Sequence, residues 1–353
     1  MDAYLERLIA DEEARLLGLS GELAPLVSQL RSAVGCGKRL RATFLYWGWR
    51  AAGQPDCEDV LQAAAAMELV HAAAVTHDDI IDNSRTRHGR PTAHVAFASS
   101  GAPAPSRAPA DWDASSQGPG SPHGRPAALA MLLGDLLMGY AGHVFTTCGL
   151  PGAYLARTVP LWSELLRETV AGEFLEVLRT GSTARCVAES LEVARYKTAK
   201  YTVERPLHLG ATLGGAREDV LRAFTAYGLA LGEAFQLRDD VLGTFGDPAL
   251  TGKSVLDDVR GAKPTALLAI ATARALGPDK RLLDKLVGDP DLDEAGGERL
   301  REVMERCGAR QEIEAMITDR IAAARAALDL APMPPTARGA LDDLAGTATD
   351  RAL

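Results

Sequence analysis

The chain has 353 residues, 47% of them hydrophobic, and a formal net charge of −9, enough for one large domain or two ordinary ones. Aromatic residues make up only 5%, while Ala and Leu dominate. That balance favours helices over sheets and excludes collagen-like, disulfide-scaffold and wholly disordered classes. The acidic excess argues against a nucleic-acid binder, whose affinity comes from Lys and Arg on phosphates.

Helical periodicity runs through almost the whole chain, and no alternating stretch is long enough to predict a strand. Helices are expected over 2–17 and 22–34. The start Met1-Asp2-Ala3-Tyr4-Leu5-Glu6 is acidic and lacks the basic region of a signal peptide. Five cysteines (36, 57, 148, 186 and 307) form no CxxC pair, so neither a disulfide framework nor a zinc set is expected, and a reducing cytoplasm fits.

The next helix, 38–53, opens on Gly37-Lys38-Arg39-Leu40-Arg41. Lys38 and Arg41 lie one turn apart at a helix N-terminus, which adds its own positive potential for an anion. Helix 57–83 is apolar and ends in His77-Asp78-Asp79-Ile80-Ile81-Asp82. Asp78 and Asp82 share a face, with Asp79 beside them. Acidic residues at a helix C-terminus oppose the macrodipole, and clustered carboxylates repel unless cations sit between them, so the motif points to hard-ligand Mg2+. The same helix carries Glu68-Leu69-Val70-His71, the ExxH of di-iron carboxylate bundles. Such bundles need two copies, and there is no second ExxH. His71 is therefore either a satisfied buried histidine or a phosphate ligand.

Arg85, Arg87, His88 and Arg90 follow the acidic motif. Residues 98–125 are rich in Ser, Pro and Gly and are expected to form a surface loop inside a single all-α domain. Helix 126–147 is apolar, but Asp135 and His143 interrupt it, as Glu68 and His71 interrupt 60–76, so no clean membrane span is predicted. Helices 151–179 and 187–214 follow, the second carrying Lys197-Thr198. Helix 217–244 ends on Phe235-Gln236-Leu237-Arg238-Asp239-Asp240. If the two acidic helix ends face one another, five carboxylates converge, a set suited to divalent ions bridging a polyphosphate. Lys253 and Lys263 come next, then helices over 262–276, 280–287, 294–306, 309–330 and 335–352.

Taken together, these motifs resemble the trans-isoprenyl diphosphate synthases of the polyprenyl synthetase family. Gly37-Lys38-Arg39-Leu40-Arg41 resembles its GKRxR element. Asp78-Asp79-Ile80-Ile81-Asp82 resembles its first DDxxD, and Phe235 to Asp240 its FQxxDD. Gly134-Asp135, Lys197-Thr198, Gly252-Lys253 and Lys263 resemble further elements, and Phe235 to Lys263 is most like actinobacterial geranylgeranyl-type members. The resemblance implies an all-α bundle around a deep cavity, usually in a homodimer. It implies three Mg2+ ions held by Asp78, Asp79, Asp82, Asp239 and Asp240 against the diphosphate of an allylic substrate. Lys197, Thr198, Gln236, Arg87, Lys253 and Lys263 would assist. Isopentenyl diphosphate would sit without metal on Lys38, Arg41, His71 and His88. Ala73 and Ala74, where short-product members carry an aromatic residue, together with Met67 as a floor, imply a geranylgeranyl product.

Three positions depart from the pattern: His88 for a second Arg, Glu173 within Gly172-Glu173-Phe174-Leu175-Glu176 where GQxxD is common, and Gly243 for the third Asp of the second motif. Rival readings are a longer-chain synthase, a class I terpene cyclase and a non-catalytic synthase subunit. A cyclase would need an NSE-type motif and no isopentenyl pocket. A non-catalytic subunit should have lost aspartates or Lys197.

Overall fold

The alanine-rich stretch 63–66 lies at the centre of helix α4 (Glu58–Ile81), every one of its side chains 1% exposed or less. The computed structural model describes residues 1–35, 37–100, 124–182, 186–247 and 255–349. Most of the expected Ser/Pro/Gly-rich loop, Cys36, Gly252 and Lys253 lie outside these. Among the described residues the fold is all-α, apart from one hairpin whose strands, β1 (Thr86–Arg87) and β2 (Arg90–Pro91), are two residues each. The chain divides into two compact units, residues 1–43 with 57–150 and residues 44–56 with 151–353, the boundary falling within helix α3 (Leu40–Ala51).

The first unit contains α1 (Asp2–Leu19), α2 (Ala24–Val34), α4, the hairpin, α5 (Ala93–Ser99) and α6 (Arg125–Thr146). Small residues on α4 let α6 approach closely. Ala127, Ala130, Leu133, Leu137, Ala141 and Val144, spaced at helical period, form the buried face of α6. Each fully buried Leu here contributes about 1.5–3 kcal/mol of apolar transfer. The opposite face leaves Met131 and Leu132 more than half or about half exposed, at 50% and 57%. By length and composition α6 could cross a membrane, the one such helix among the described residues. Two elements differ from expectation. The hairpin and α5 form where periodicity suggested no structure, because a two-residue loop with positive φ at both His88 (51°) and Gly89 (72°) reverses the chain as a type I′ turn. Thr92 then ties the hairpin back, donating its hydroxyl to the Ser84 carbonyl at 2.7 Å.

In the second unit, α7 (Gly152–Arg179) and α10 (Glu218–Phe245) are the long elements. The expected continuous helix 187–214 is instead α8 (Val187–Val193), a π-helical segment (Ala194–Glu204) and α9 (Arg205–Gly214). Three glycines admit the wide π-helical backbone. A Cβ at Gly172 of α7 would fall 2.3 Å from the Lys197 amide nitrogen. One at Gly228 or Gly232 of α10 would fall 2.6 Å from the Glu204 Cα or 2.2 Å from the Ala199 Cα. Charges then fix the segment. Arg205 forks onto Glu168 of α7 at 2.6 and 2.8 Å, and Glu233 of α10 pairs with Arg195 at 3.0 Å. Beyond α10 come α11 (Asp257–Arg260), α12 (Ala266–Arg274), α13 (Gly277–Leu286), α14 (Glu294–Arg306), α15 (Ala309–Ala327) and α16 (Pro335–Thr349). The expected start of α12 at 262 moves to 266, because Pro264 precedes it and the Thr265 hydroxyl caps it by accepting from the Leu268 amide. Arg238 forks onto Glu314 of α15, and the Tyr227 hydroxyl donates to the Leu341 carbonyl of α16 at 2.6 Å.

Gly232→Ala should destabilise the chain by about 1–3 kcal/mol through backbone overpacking. Gly139→Ala, where a Cβ meets nothing within 4 Å, should stabilise it by about 0.5–1 kcal/mol. Urea unfolding of the two variants measures both, and a Gly232→Ala protein of wild-type stability would contradict the close approach.

Candidate active site

Helix α4 ends at the first acidic motif. Asp82 is its C-cap, its amide bonded to the Asp78 carbonyl at 2.8 Å. Asp79 is buried, 5% exposed, and Asp78 is partly exposed. Arg87, delivered by β1, lies across both. Its Nε donates to Asp79 Oδ1 at 2.8 Å, and Nη2 reaches Asp79 Oδ1 at 2.7 Å and Asp78 Oδ2 at 3.1 Å. His77, just before the pair, donates from Nε2 to the Met131 carbonyl at 3.1 Å and lies 3.6 Å from Asp135. Its ring fills the space that a Cβ at Gly134 would need, 2.1 Å from Nε2. The Gly134-Asp135 element of α6 therefore seats the helix end that carries the motif.

One turn earlier, partly buried His71 is held neutral. Burial lowers its pKa well below the usual histidine value, and the positive charges of Arg41, Arg87 and His88 lower it further, against Asp78. The first unit thus brings the charges of Arg41, Arg87 and His88 to bear on the His71 imidazole. Lys38 is exposed at the entrance to α3.

In the second unit the π-helical segment and α10 share a hydrogen-bonded chain. The Thr198 hydroxyl donates to Gln236 Oε1 at 2.5 Å, and Gln236 Nε2 donates to Asp240 Oδ1 at 2.9 Å. The Ala266 amide donates to Asp240 Oδ2 at 3.1 Å. Asp240 is 5% exposed, and burial, with the charges of Asp258 and Asp239, pushes its pKa up to about 8. Lys197 lies between Glu173 (2.9 Å) and Glu176 (2.6 Å), and Lys263 lies 3.8 Å from Glu176 and 3.6 Å from Asp258. Glu173, flagged in the sequence as a departure, belongs to this cluster, as do Glu176 and Asp258, which were not singled out from sequence. Asp258 stands just before the 262–276 prediction, in a segment with no helical signal of its own. Its carboxylate fills the room in front of Gly243, where a Cβ would come 2.5 Å from Oδ2.

The donors in both units suit a hard divalent cation. They are carboxylate oxygens, and one of them, on Asp240, is disfavoured as an anion by burial. The chain-length residues divide differently. Ala73 and Met67 are fully buried, whereas Ala74 keeps part of its surface.

Residues 25–304 match the model of the Polyprenyl synthetase family. A geranylgeranyl diphosphate synthase of Mycobacterium tuberculosis is 30% identical over 306 residues, 86% of this chain and 78% of that protein. A (2E,6E)-farnesyl diphosphate synthase of Mycobacterium bovis is 30% identical over 275 residues, 77% of this chain and 68% of that protein. The crystal structure of a Corynebacterium glutamicum geranylgeranyl pyrophosphate synthase, complexed with isoprenyl diphosphate and magnesium, superposes with a TM-score of 0.89 at 34% identity. It covers 99% of this chain and 97% of that one.

The raised pKa of Asp240 fixes a sign for stability in metal-free protein. The folded state keeps the proton that the unfolded chain releases near the usual carboxyl value of 3.8. Stability from this group is therefore full below 3.8 and lost as pH rises toward about 8. Asp240→Asn should remove this slope, leaving the variant relatively more stable at alkaline pH. Thermal unfolding between these limits, with chelator present, would show parallel wild-type and variant profiles if the carboxyl were ordinary.

Proposed function

Because the chain belongs to the polyprenyl synthetase family, we propose that this prenyltransferase condenses isopentenyl diphosphate with an allylic diphosphate to give geranylgeranyl diphosphate. The observation that carries this reading is that one helix end holds both an acidic cluster and a basic pocket, with His71 within the fields of Asp78 and of Arg41 and Arg87. A synthase must hold two diphosphates by different means, one to be ionised through metal and one to be kept intact. A cyclase has no use for the second.

In this reading Asp78, Asp79, Asp82, Asp239 and Asp240 hold three Mg2+ ions. When bound, Mg2+ takes up the charge that develops on the departing diphosphate. Lys197, Lys253 and Lys263 add donors to that diphosphate, and Thr198 and Gln236 keep the Asp240 carboxyl oriented. Arg87 exchanges its carboxylate partners for phosphate oxygens, which its fork fits in a bidentate manner. Lys38 and Arg41 hold isopentenyl diphosphate, with neutral His71 as a hydrogen-bond partner and His88 at the hairpin tip. The buried apolar face of α4 keeps water from the reacting carbons, where it would quench an allylic cation to an alcohol. Relatives named for farnesyl, geranylgeranyl and geranylfarnesyl products bracket the product length, and the small Ala73 and Ala74 favour geranylgeranyl over farnesyl. Since Ala73 is fully buried, Ala74 is the position from which a larger side chain would meet the growing product.

We also propose a cytoplasmic homodimer. The exposed Met131 and Leu132 of α6, and Val170, Phe174 and Leu178 along one face of α7, are apolar surface that a second copy would bury.

Two results test the reading. Turnover should require a divalent cation, and Asp79→Ala or Asp239→Ala should lower kcat by about 100-fold or more with circular dichroism unchanged; near-normal rates in both would sink the metal assignment. With dimethylallyl, geranyl or farnesyl diphosphate as starter, the wild type should stop at geranylgeranyl diphosphate and Ala74→Phe at farnesyl diphosphate. Longer wild-type products, or an Ala74→Phe enzyme of unchanged product, would show that another element closes the cavity.

A further inference from the structure

Glu68 is a carboxylate in the middle of α4, 4% exposed, between the buried Ala66 and Leu69 and one turn before His71. Burying such a group is costly unless its oxygens are bonded, and both are engaged. Oε1 accepts the Ala42 amide at 3.1 Å, and Oε2 faces Arg39 Nη1 at 3.7 Å. Ala42 lies in the first turn of α3, whose leading amides have no carbonyl within the helix to bond. A helix start is usually capped by the residue before it, through a Ser, Thr, Asp or Asn oxygen. Here that residue is Arg39, which has no such oxygen. The cap comes instead from Glu68, a negative group at the positive end of the helix.

Arg39 is unusual in a second way. Its φ is +54°, the left-handed region that a residue with a Cβ occupies only when its surroundings impose it. Besides Glu68, it is held by Asp2 Oδ1, which accepts from Nε at 3.0 Å, and by the Val34 carbonyl, which accepts from Nη2 at 2.8 Å. Its own carbonyl accepts the Thr43 amide at 2.9 Å and the Thr43 hydroxyl at 2.7 Å. This kink separates Lys38 from Arg41, so its geometry decides where the two cations point.

We infer that Glu68 is a positioning residue for the isopentenyl diphosphate pocket. By capping α3 at Ala42 and anchoring the left-handed Arg39, it sets the directions of Lys38 and Arg41. The inference rests on the reading that these two residues bind that diphosphate. It also assigns the ExxH pair: the Glu is spent on α3, so only its His faces the basic pocket.

Isothermal titration of isopentenyl diphosphate into metal-free protein tests this directly, with steady-state kinetics alongside. Glu68→Gln keeps an oxygen for the Ala42 amide and loses the charge on Arg39, while Glu68→Ala loses both. Losing a buried cap and its charge should raise the isopentenyl diphosphate Kd by about ten-fold in Glu68→Ala and by about three-fold in Glu68→Gln. The KM for that substrate should rise with the Kd, while kcat and the allylic KM stay within about two-fold of wild type, because the lost group touches neither reacting carbon. An unchanged Kd, or an equal loss in kcat and in the allylic KM, overturns the inference. Should Glu68→Ala fail to fold, Glu68→Gln and Arg39→Gly decide it. Arg39→Gly keeps the left-handed turn without strain but removes the guanidinium that Glu68 faces, so its Kd should rise, and wild-type affinity in both variants is a refutation. Lys38→Ala and Arg41→Ala separate the two levels. Weakened binding in these with none in the Glu68 variants refutes the positioning role alone. Unweakened binding in all of them refutes the pocket, and the inference with it.

Discussion

Carboxylates crowded at the ends of helices need a positive charge, and the chain supplies one at each place. Arg87 forks onto Asp78 and Asp79, Lys197 lies between Glu173 and Glu176, and Lys263 lies beside Glu176 and Asp258. The cations placed here are the same ones a diphosphate would recruit. If the carboxylates hold divalent ions as proposed, loading would be an exchange of partners, in which the guanidinium and ammonium groups leave the carboxylates for phosphate oxygens. Neither half of the exchange is favourable alone, because it would leave a partly buried charge unpaired. Under the proposed function, metal and diphosphate would then promote each other's binding, a coupling that linkage makes reciprocal.

That exchange depends on backbones held unusually close. The π-helical segment is wider than an α-helix, and long π segments are rare. It persists here because α7 and α10 each present glycine where a side chain would collide with it. Its reward is positional. Lys197 reaches the α7 carboxylates, and Thr198, the next residue, reaches Gln236 on α10. The chain from Thr198 through Gln236 to Asp240 then orients a carboxyl that burial keeps protonated up to about pH 8.

Much of this was legible in the sequence, for identifiable reasons. Long helices such as α4, α6, α7 and α10 carry sustained apolar periodicity, and their ends carry Asp78-Asp79 and Asp239-Asp240 in plain view. The family resemblance put Arg41 and His71 in one pocket, but placed Arg87, whose charge also acts on His71, with the other diphosphate. What escaped were features with no periodic or compositional signal. Nothing in Ala194–Glu204 distinguishes five-residue from four-residue hydrogen bonding. Positive φ at Arg39 is imposed by tertiary partners rather than preferred locally. The hairpin at His88-Gly89 hides because strands of two residues show no alternation. Glu68 looked like half of a metal pair, since its true partner, the Ala42 amide, is a backbone group that sequence cannot display.

Gly243 has a consequence for how such motifs are counted. Scored as five consecutive positions, the second acidic motif has lost a ligand. In three dimensions the room above Gly243 is filled by the carboxylate of Asp258, fifteen residues on by number and from a separate element. A carboxylate therefore stands beside this position although residue 243 carries none. Restoring an aspartate at 243 would therefore install a competing tenant, two like-charged groups in a volume fitted to one. The spacing of a motif along the chain is therefore not the spacing of its charges in space.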